Sequence, residues 1–524
     1  MKKRQILNIA LLALLAALFV IEIVAAVAVL RLNMLPTLVV ILLILLLLIY
    51  DCAVASFMFL RGRKTTRKNA KKMAKKRRII ALVLSVVMVC GCLVIARVAN
   101  DVRKTFESMQ AAELAEKAAE EEETGIKRAI YVRSHDAAQT LEDAKSYSYG
   151  IVTNYDDVCT QQAVDEIQKQ LGATIQTTGY MNVFELADAL LSGKLDAMIL
   201  NSSYLSILEA DSRYEEFSTM TRVLAEVKIE GNGEELDGSG LLMNTEADIA
   251  ENGKLKPFIV YLSGSDSRKG TLLANTRSDV NILAVVNPET YQVLLVNSPR
   301  DFYVPNPAGD GAMDKLTHCG VYGIDCSIEA LEALYSCEVQ YFAQMNFSGL
   351  RHLVDALGGI TVESDTAFTL HGNVGKIKVG ENTLNGKQAL AFARTRKGLD
   401  GGDNDRGKNQ MRVIKAIIKQ ATSGTTIVSN YSVIMKSIEG MFAMDVPTSL
   451  ISEVVKKQLA TMPEWNIVTY AATGKGGYRE CFSAPGMELS TIVPKEESIS
   501  KATHLIQKVI AGEILTPEVV KATT

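Results

Sequence analysis

The stretch TRSDVNILAVVNPETYQVLLVNSPRDFYV, residues 276–304, decides the fold of the larger part of the chain. Two apolar runs, VNILAVVN (280–287) and TYQVLLVN (290–297), flank a proline-containing turn, the pattern of a β-hairpin. Charged residues sit at the ends of these runs: Arg277 and Asp279 before the first, Arg300 and Asp301 after the second. An arginine at the edge of an apolar strand needs a partner. Guanidinium forks bind phosphate oxygens bidentately, so a cluster of them suits a polyanionic ligand.

The same pattern continues outward. A strand, PFIVYL (257–262), precedes the hairpin and ends at GSDSR, which adds Asp266 and Arg268. Helical periodicity follows at 327–335, 347–357, 385–394 and 409–421, with Arg394 and Gln410 in the last two and Arg396 and Arg406 between them. These elements predict one α/β domain, a mixed sheet with flanking helices, over residues 257–512, followed by a tail at 513–524. Two carboxylates beside such loops suit a hard divalent cation, which usually bridges substrate phosphates. Together the set argues for a metal-bound diphosphate. Taken singly, each residue reads as an ordinary surface ion pair.

Upstream the composition changes. The chain has 524 residues, enough for two to four domains, and a formal net charge of −3. That near-neutrality argues against a general nucleic-acid binder, but it is a sum over segregated charge. Residues 1–78 hold 15 basic and 2 acidic side chains, a net of +13, against 41 and 57, a net of −16, in the remainder. Three apolar segments, Ile6–Leu30, Met34–Leu60 and Ile79–Val98, match the ~20 residues needed to cross a bilayer. The loop RGRKTTRKNAKKMAKKRR (61–78) carries 11 basic residues and no acid. By the positive-inside rule this loop and the N-terminus are cytoplasmic, which places everything after the third span outside the cell. The loop is best read as setting topology and lying on anionic membrane lipids. A cleaved signal peptide is rejected, because its apolar core would be too long and two spans follow. Glu22 and Asp51 fall inside spans and are read as interhelical contacts or protonated acids rather than as a transport path.

Residues 1–99 thus form a transmembrane section. An Ala/Glu-rich stretch at 100–127 reads as a helical stalk ending at Gly125. Residues 128–241 read as an accessory α/β domain: SYGIVTN (148–154), a helix at 160–172, ATIQTTG, the helix VFELADALLSGK and the strand LDAMILN (195–201). This piece resembles half of an extracellular solute-binding protein. No second lobe is evident, so a spacer or docking module is favoured over a solute receptor.

Seven ordered passages give the 257–420 segment its meaning: GSDSR (264–268), TRSDVNILAVVNP (276–288), NSPRDFYV (297–304), DKLTHCGVYG (314–323), NFSGLRHLVDALGGITV (346–362), LNGKQALAFARTR (384–396) and DRGKNQ (405–410). The segment resembles the LytR-CpsA-Psr family of cell-envelope phosphotransferases. The resemblance implies transfer of an anionic glycopolymer (teichoic acid, capsule or a related wall glycan) from an undecaprenyl-pyrophosphate carrier to peptidoglycan, with pyrophosphatase activity on the side. It implies that Asp266 and Asp279 hold Mg²⁺ (or Mn²⁺) on the pyrophosphate. Arg277, Arg300, Arg394, Arg396 and Arg406 would bind its oxygens, with Gln410 completing the site. Asp301 and Asp279 are the candidates for general base. The chain departs from the family where an arginine usually precedes the glutamine: Asn409 stands there, with Lys408 as a compensating charge. The rival from another class is a non-catalytic regulator that only binds lipid pyrophosphate; paired metal carboxylates favour the enzyme.

Five cysteines, Cys159, Cys319, Cys326, Cys337 and Cys481, follow the third span, on the oxidising side. Cys319 and Cys326 are seven apart around a Gly-Val-Tyr-Gly loop and are expected to form a disulfide. Zinc at His318 and Cys319 lacks a second cysteine pair and is disfavoured.

Overall fold

The computed structural model describes residues 2–32, 37–59, 75–100, 125–153, 157–209, 213–230, 254–265, 275–396, 403–423 and 441–516, and seven isolated positions besides. Most of the basic loop and the stalk, the 231–250 boundary, Asp266 and Arg268 lie outside the described residues.

Three helices, Lys2–Leu32, Thr37–Phe59 and Lys75–Asn100, are long and apolar enough to cross a membrane. Side chains such as Leu46, Ile49, Val87 and Val94 point outward, while Leu11, Val54 and Ala81 meet in the interior with Leu15 and Tyr50. Glu22 is turned inward, 3% exposed, as expected of an acid used between helices.

The accessory domain is a five-stranded sheet of Gly125–Arg133, Ser148–Val152, Gln176–Tyr180, Ala197–Leu200 and Thr221–Glu230, in the order third, second, fourth, first, fifth. The second, third and fourth strands are parallel, and the first runs antiparallel to both its neighbours. Side chains alternate between two faces, as strand geometry requires. Ala197 and Ile199 join Ile130 and Val132 under the helix Asp157–Leu171. Met198 and Leu200 join Ala129 and Tyr131 under the helix Val183–Leu191. The domain opens at Gly125, a few residues earlier than the sequence predicts, because 125–127 already pair with 228–230.

The second domain is built on six strands in the order Phe442–Met444, Tyr341–Asn346, Phe258–Ser265, Ser278–Asn287, Gln292–Asn297 and Asn466–Ala471. The predicted hairpin sits at its centre, with Asn287 paired to Gln292 across the turn. Parallel strands flank the central three, Tyr341–Asn346 beside Phe258–Ser265 and Asn466–Ala471 beside Gln292–Asn297. Both faces are covered, which explains why the strands are apolar throughout rather than alternating. Leu283, Val285, Leu294 and Val296 pack beneath the helices Ile324–Tyr335 and Glu496–Ile510. Ile282, Ala284, Val293 and Leu295 pack on the other side with Met411 of the helix Asp403–Thr422 and Leu450 of the helix Thr448–Thr461.

Two expectations need correction. Residues 513–516 are not a tail: Leu515 is buried, its N–H donates to Gln292 Oε1 and its carbonyl accepts from Asn466 Nδ2. Cys319 and Cys326 are free thiols. The helices Leu316–Cys319 and Ile324–Tyr335 turn both into the core, where Cys326 Sγ donates to Asn306 Oδ1 (3.3 Å) and Cys319 Sγ faces the Lys315 carbonyl (4.0 Å). The Cys326 thiol beside it, together with burial, holds the Cys319 pKa well above the thiol range.

Candidate functional site

The sheet directs its polar ends to one edge. Ser265 pairs with Asn346 and Ser278, Asn297 with Ile282 and Ala471. The carboxyl ends of four strands and the amino end of the Ser278–Asn287 strand therefore lie together, the edge at which open α/β sheets bind ligands. Asp279 begins one central strand and Arg300 follows the next, so the hairpin carries both to the same place.

Arg300 Nη1 donates to Asp279 Oδ1 at 2.7 Å, and the two side chains are 19% and 11% exposed. Arg300 Nε lies 3.8 Å from Asp301 Oδ2, and Lys315 Nζ donates to Asp301 Oδ1 at 3.3 Å. Asp279, Asn297, Ser298, Pro299, Arg300, Arg406, Gly407 and Gln410 line a small polar pocket. Burial pushes the Asp279 pKa up, but Arg277, Arg300 and Arg406 outweigh it and hold the carboxyl below its usual value. Asp301 behaves alike: burial raises it, and Lys315, Arg300 and Arg406 bring it below normal. Two carboxylates thus stay ionised amid four cations. That surplus of positive charge is what a diphosphate would neutralise.

Arg406, Gly407 and Gln410 come from the first turns of the helix Asp403–Thr422, whose positive dipole end faces the pocket. A Cβ at Gly407 would overlap the Asn297 amide, so glycine lets this helix lie directly on the strand end. The helix begins six residues before the predicted 409. Its first turn, DNDR, shows no apolar periodicity for sequence reading to detect.

Not every predicted residue joins the pocket. Arg394 stacks its guanidinium over Phe347, 4.7 Å from the ring centre, and Arg396 is exposed; neither lines the pocket. Lys408 does not compensate for Asn409: it points to solvent and pairs with Asp405 at 2.9 Å. Asn409 faces away from the pocket, buried, donating to the Phe392 carbonyl and accepting from Arg412 Nη1. Position 409 therefore serves helix packing here. Arg277 Nε is buried without a hydrogen-bond partner among the described residues. No group of three His, Cys, Asp or Glu is gathered for a metal among the described residues, which exclude Asp266.

Sequence reasoning missed Lys315 and the buried cluster beside it. Asp314 accepts from Lys315 N (2.8 Å), Asn306 Nδ2 (3.2 Å) and Ser483 N (3.2 Å), and meets His318 Nδ1 at 2.7 Å. The signal lay in DKLTHCGVYG, where a charged pair precedes a short apolar helix.

The LytR_cpsA_psr family model matches residues 223–491, just over half of the chain. The polyisoprenyl-teichoic acid–peptidoglycan teichoic acid transferase TagU of Bacillus subtilis is 39% identical over 176 residues, 33% of this chain and 55% of that protein. Its namesake in Enterococcus faecalis is 33% identical over 192 residues, 36% of this chain and 62% of that protein. The chain thus spans little more than half the length of these relatives. The crystal structure of B. subtilis TagU superposes with a TM-score of 0.38 at 27% identity, covering 50% of this chain and all of that one.

Proposed function

The chain belongs to the LytR_cpsA_psr family, and on that premise we propose that it transfers an anionic glycopolymer from a polyprenyl-pyrophosphate carrier to peptidoglycan at the outer face of the membrane. The observation that carries this reading is the Asp279–Arg300 pair, set among Arg277, Arg406 and Lys315 at the ligand edge of the sheet. The names of the relatives supply the substrate class. The three apolar helices and the basic 61–78 loop support the orientation.

In the proposed reaction the acceptor hydroxyl oxygen bonds to the phosphorus that carries the sugar. The bridging P–O bond to the lipid phosphate breaks, and polyprenyl phosphate leaves with the electron pair. The hydroxyl proton passes to solvent. Asp279 and Asp301 are poorly suited to take it, since both carboxyls are held below their usual pKa and a general base works best near the operating pH. Their role is to orient cations. Arg300, Arg277 and Arg406 neutralise charge that builds on the non-bridging and leaving oxygens, the chief requirement of phosphoryl transfer.

The donor set fits Mg²⁺ when a diphosphate is present. Asp279 offers hard oxygen, but three guanidinium groups around it would repel a lone cation. Asp279 and Asp266 would hold the ion, which when bound would stabilise charge on the bridging oxygen.

The test uses the full-length protein in lipid nanodiscs with lipid-linked polymer, peptidoglycan and Mg²⁺. Polyprenyl phosphate release and attached polymer are expected, falling ~100-fold or more in Arg300→Ala. Release unchanged in that variant overturns the site. Tight binding with no release in the wild type instead identifies a non-catalytic lipid-pyrophosphate binder.

A further inference from the structure

The accessory domain has an edge of the kind that binds ligands, and that edge is filled. Its parallel strands end at Val152, Tyr180 and Leu200, where a solute-binding lobe would open its crevice. Here the second domain lies against them. A hairpin of Gly474–Cys481 and Ala484–Pro494 brings its tip to Asn182, whose Nδ2 donates to the Pro485 carbonyl at 2.8 Å. Tyr204 and Tyr322 meet hydroxyl to hydroxyl at 3.0 Å with their rings edge-on. Val321 and Ala484 are buried in the accessory core, with Phe482 and Tyr322 packed against it.

These contacts are continuous with the site. Tyr322 ends a segment, 314–322, that begins with Asp314 and Lys315, and Lys315 holds Asp301. Gly320 of the same segment presses on the strand carrying Arg277 and Asp279: a Cβ there would stand 2.5 Å from the Thr276 carbonyl oxygen and 2.8 Å from Ser278 N. Asp314 and His318 fasten the segment to the hairpin through Ser483. The hairpin in turn donates Ile492 N to the Asp301 carbonyl at 2.7 Å.

We infer that the ligand edge of the accessory domain is a socket for its own neighbouring domain, and that Asn182, Tyr204 and Tyr322 are positioning residues for the Arg277–Asp279–Arg300 site. The socket stands on the contacts alone; its effect on the site rests on the function proposed above. The domain binds no free solute at this edge, because Pro485 and Tyr322 occupy it.

Asn182 allows a clean test. Its Oδ1 caps the helix Val183–Leu191 by accepting from Phe184 N and Glu185 N, while Nδ2 faces Pro485. Asn182→Asp keeps the cap and turns the donor into an oxygen opposed to a carbonyl. Full-length protein in lipid nanodiscs, carrying Asn182→Asp with Tyr204→Phe, is followed by hydrogen exchange. Amides of 314–322 are expected to exchange roughly tenfold faster while those of 186–191 are unchanged. Affinity for inorganic pyrophosphate, measured by calorimetry, is expected to fall several-fold at unaltered thermal stability, which a merely structural role would not produce. Unchanged exchange at 314–322 overturns the socket, as does a small solute that protects the accessory strand ends in the wild type. Faster exchange with unchanged pyrophosphate affinity overturns the positioning role. Faster exchange in a protein that releases no polyprenyl phosphate upholds the socket and sinks the transfer reading alone.

Discussion

Replacing Asp279 by asparagine removes a carboxylate shared by Arg277, Arg300 and Arg406 and leaves the shape of the site intact. Breaking a fully buried pair costs roughly 3–5 kcal/mol. Asp279 and Arg300 retain 11% and 19% exposure, so part of that cost is screened and about 2–3 kcal/mol remains. For a domain of this size that is a fall in melting temperature of roughly 5–10 °C. The assay is built into the chain. Trp465, the only tryptophan, is buried against the central sheet with Nε1 donating to Gln458 Oε1, so its fluorescence follows the second domain alone. The sign of the ligand effect is the sharper test. With EDTA present, pyrophosphate supplies the negative charge that Asp279→Asn removes and is expected to stabilise the variant more than the wild type. Saturation at 100 times Kd is worth about 2.7 kcal/mol. A drop below ~1 °C, or weaker rescue of the variant, refutes the view that Asp279 restrains an anion site. The pH dependence follows from the lowered Asp279 pKa. A depressed carboxyl contributes stability fully above the unfolded value of about 3.9 and loses it as pH falls through the folded value. The wild-type advantage should be level from pH 8 to about 5 and fade below about 4.

Gly407→Ala sets a methyl against the Asn297 amide and displaces the helix turn that bears Arg406 and Gln410. Overpacking of this kind costs roughly 1–3 kcal/mol, and pyrophosphate affinity in calorimetry should fall with stability. Cys319, Cys326 and Cys481 are buried thiols. Mass mapping should find them unmodified by maleimide in native protein and all modified after denaturation without reductant; a 319–326 linked peptide would contradict the structure.

The central hairpin was legible because two apolar runs around a proline turn admit few other folds, and the charges at their ends were legible because antiparallel pairing carries both ends to one edge. What escaped has physical causes. Arg394 and Arg396 share a motif with the site, yet the helix Gly386–Arg394 ends with its last arginine over Phe347 rather than in the pocket. The hairpin at 474–494 begins GKGGYREC, glycine-rich and without an apolar pattern, and divides its contacts between Ile492 on its own domain's core and Ala484 in the accessory core. The Cys319–Cys326 spacing permits closure, yet the two thiols lie side by side and free, with Cys326 Sγ donating to Asn306 Oδ1.

The register of the accessory sheet has a mechanical consequence. Its first and last strands pair from Gly125 with Glu230 to Arg133 with Thr221, so the chain enters and leaves the domain at adjacent points, about 5 Å apart. A pull between the membrane helices and the second domain therefore acts on Gly125 and Glu230 at the same end of one ladder. Its hydrogen bonds bear the load one after another, as a zipper does, rather than all at once in shear. Opened from that end, the ladder parts one pair after another, Gly125–Glu230 first and Arg133–Thr221 last.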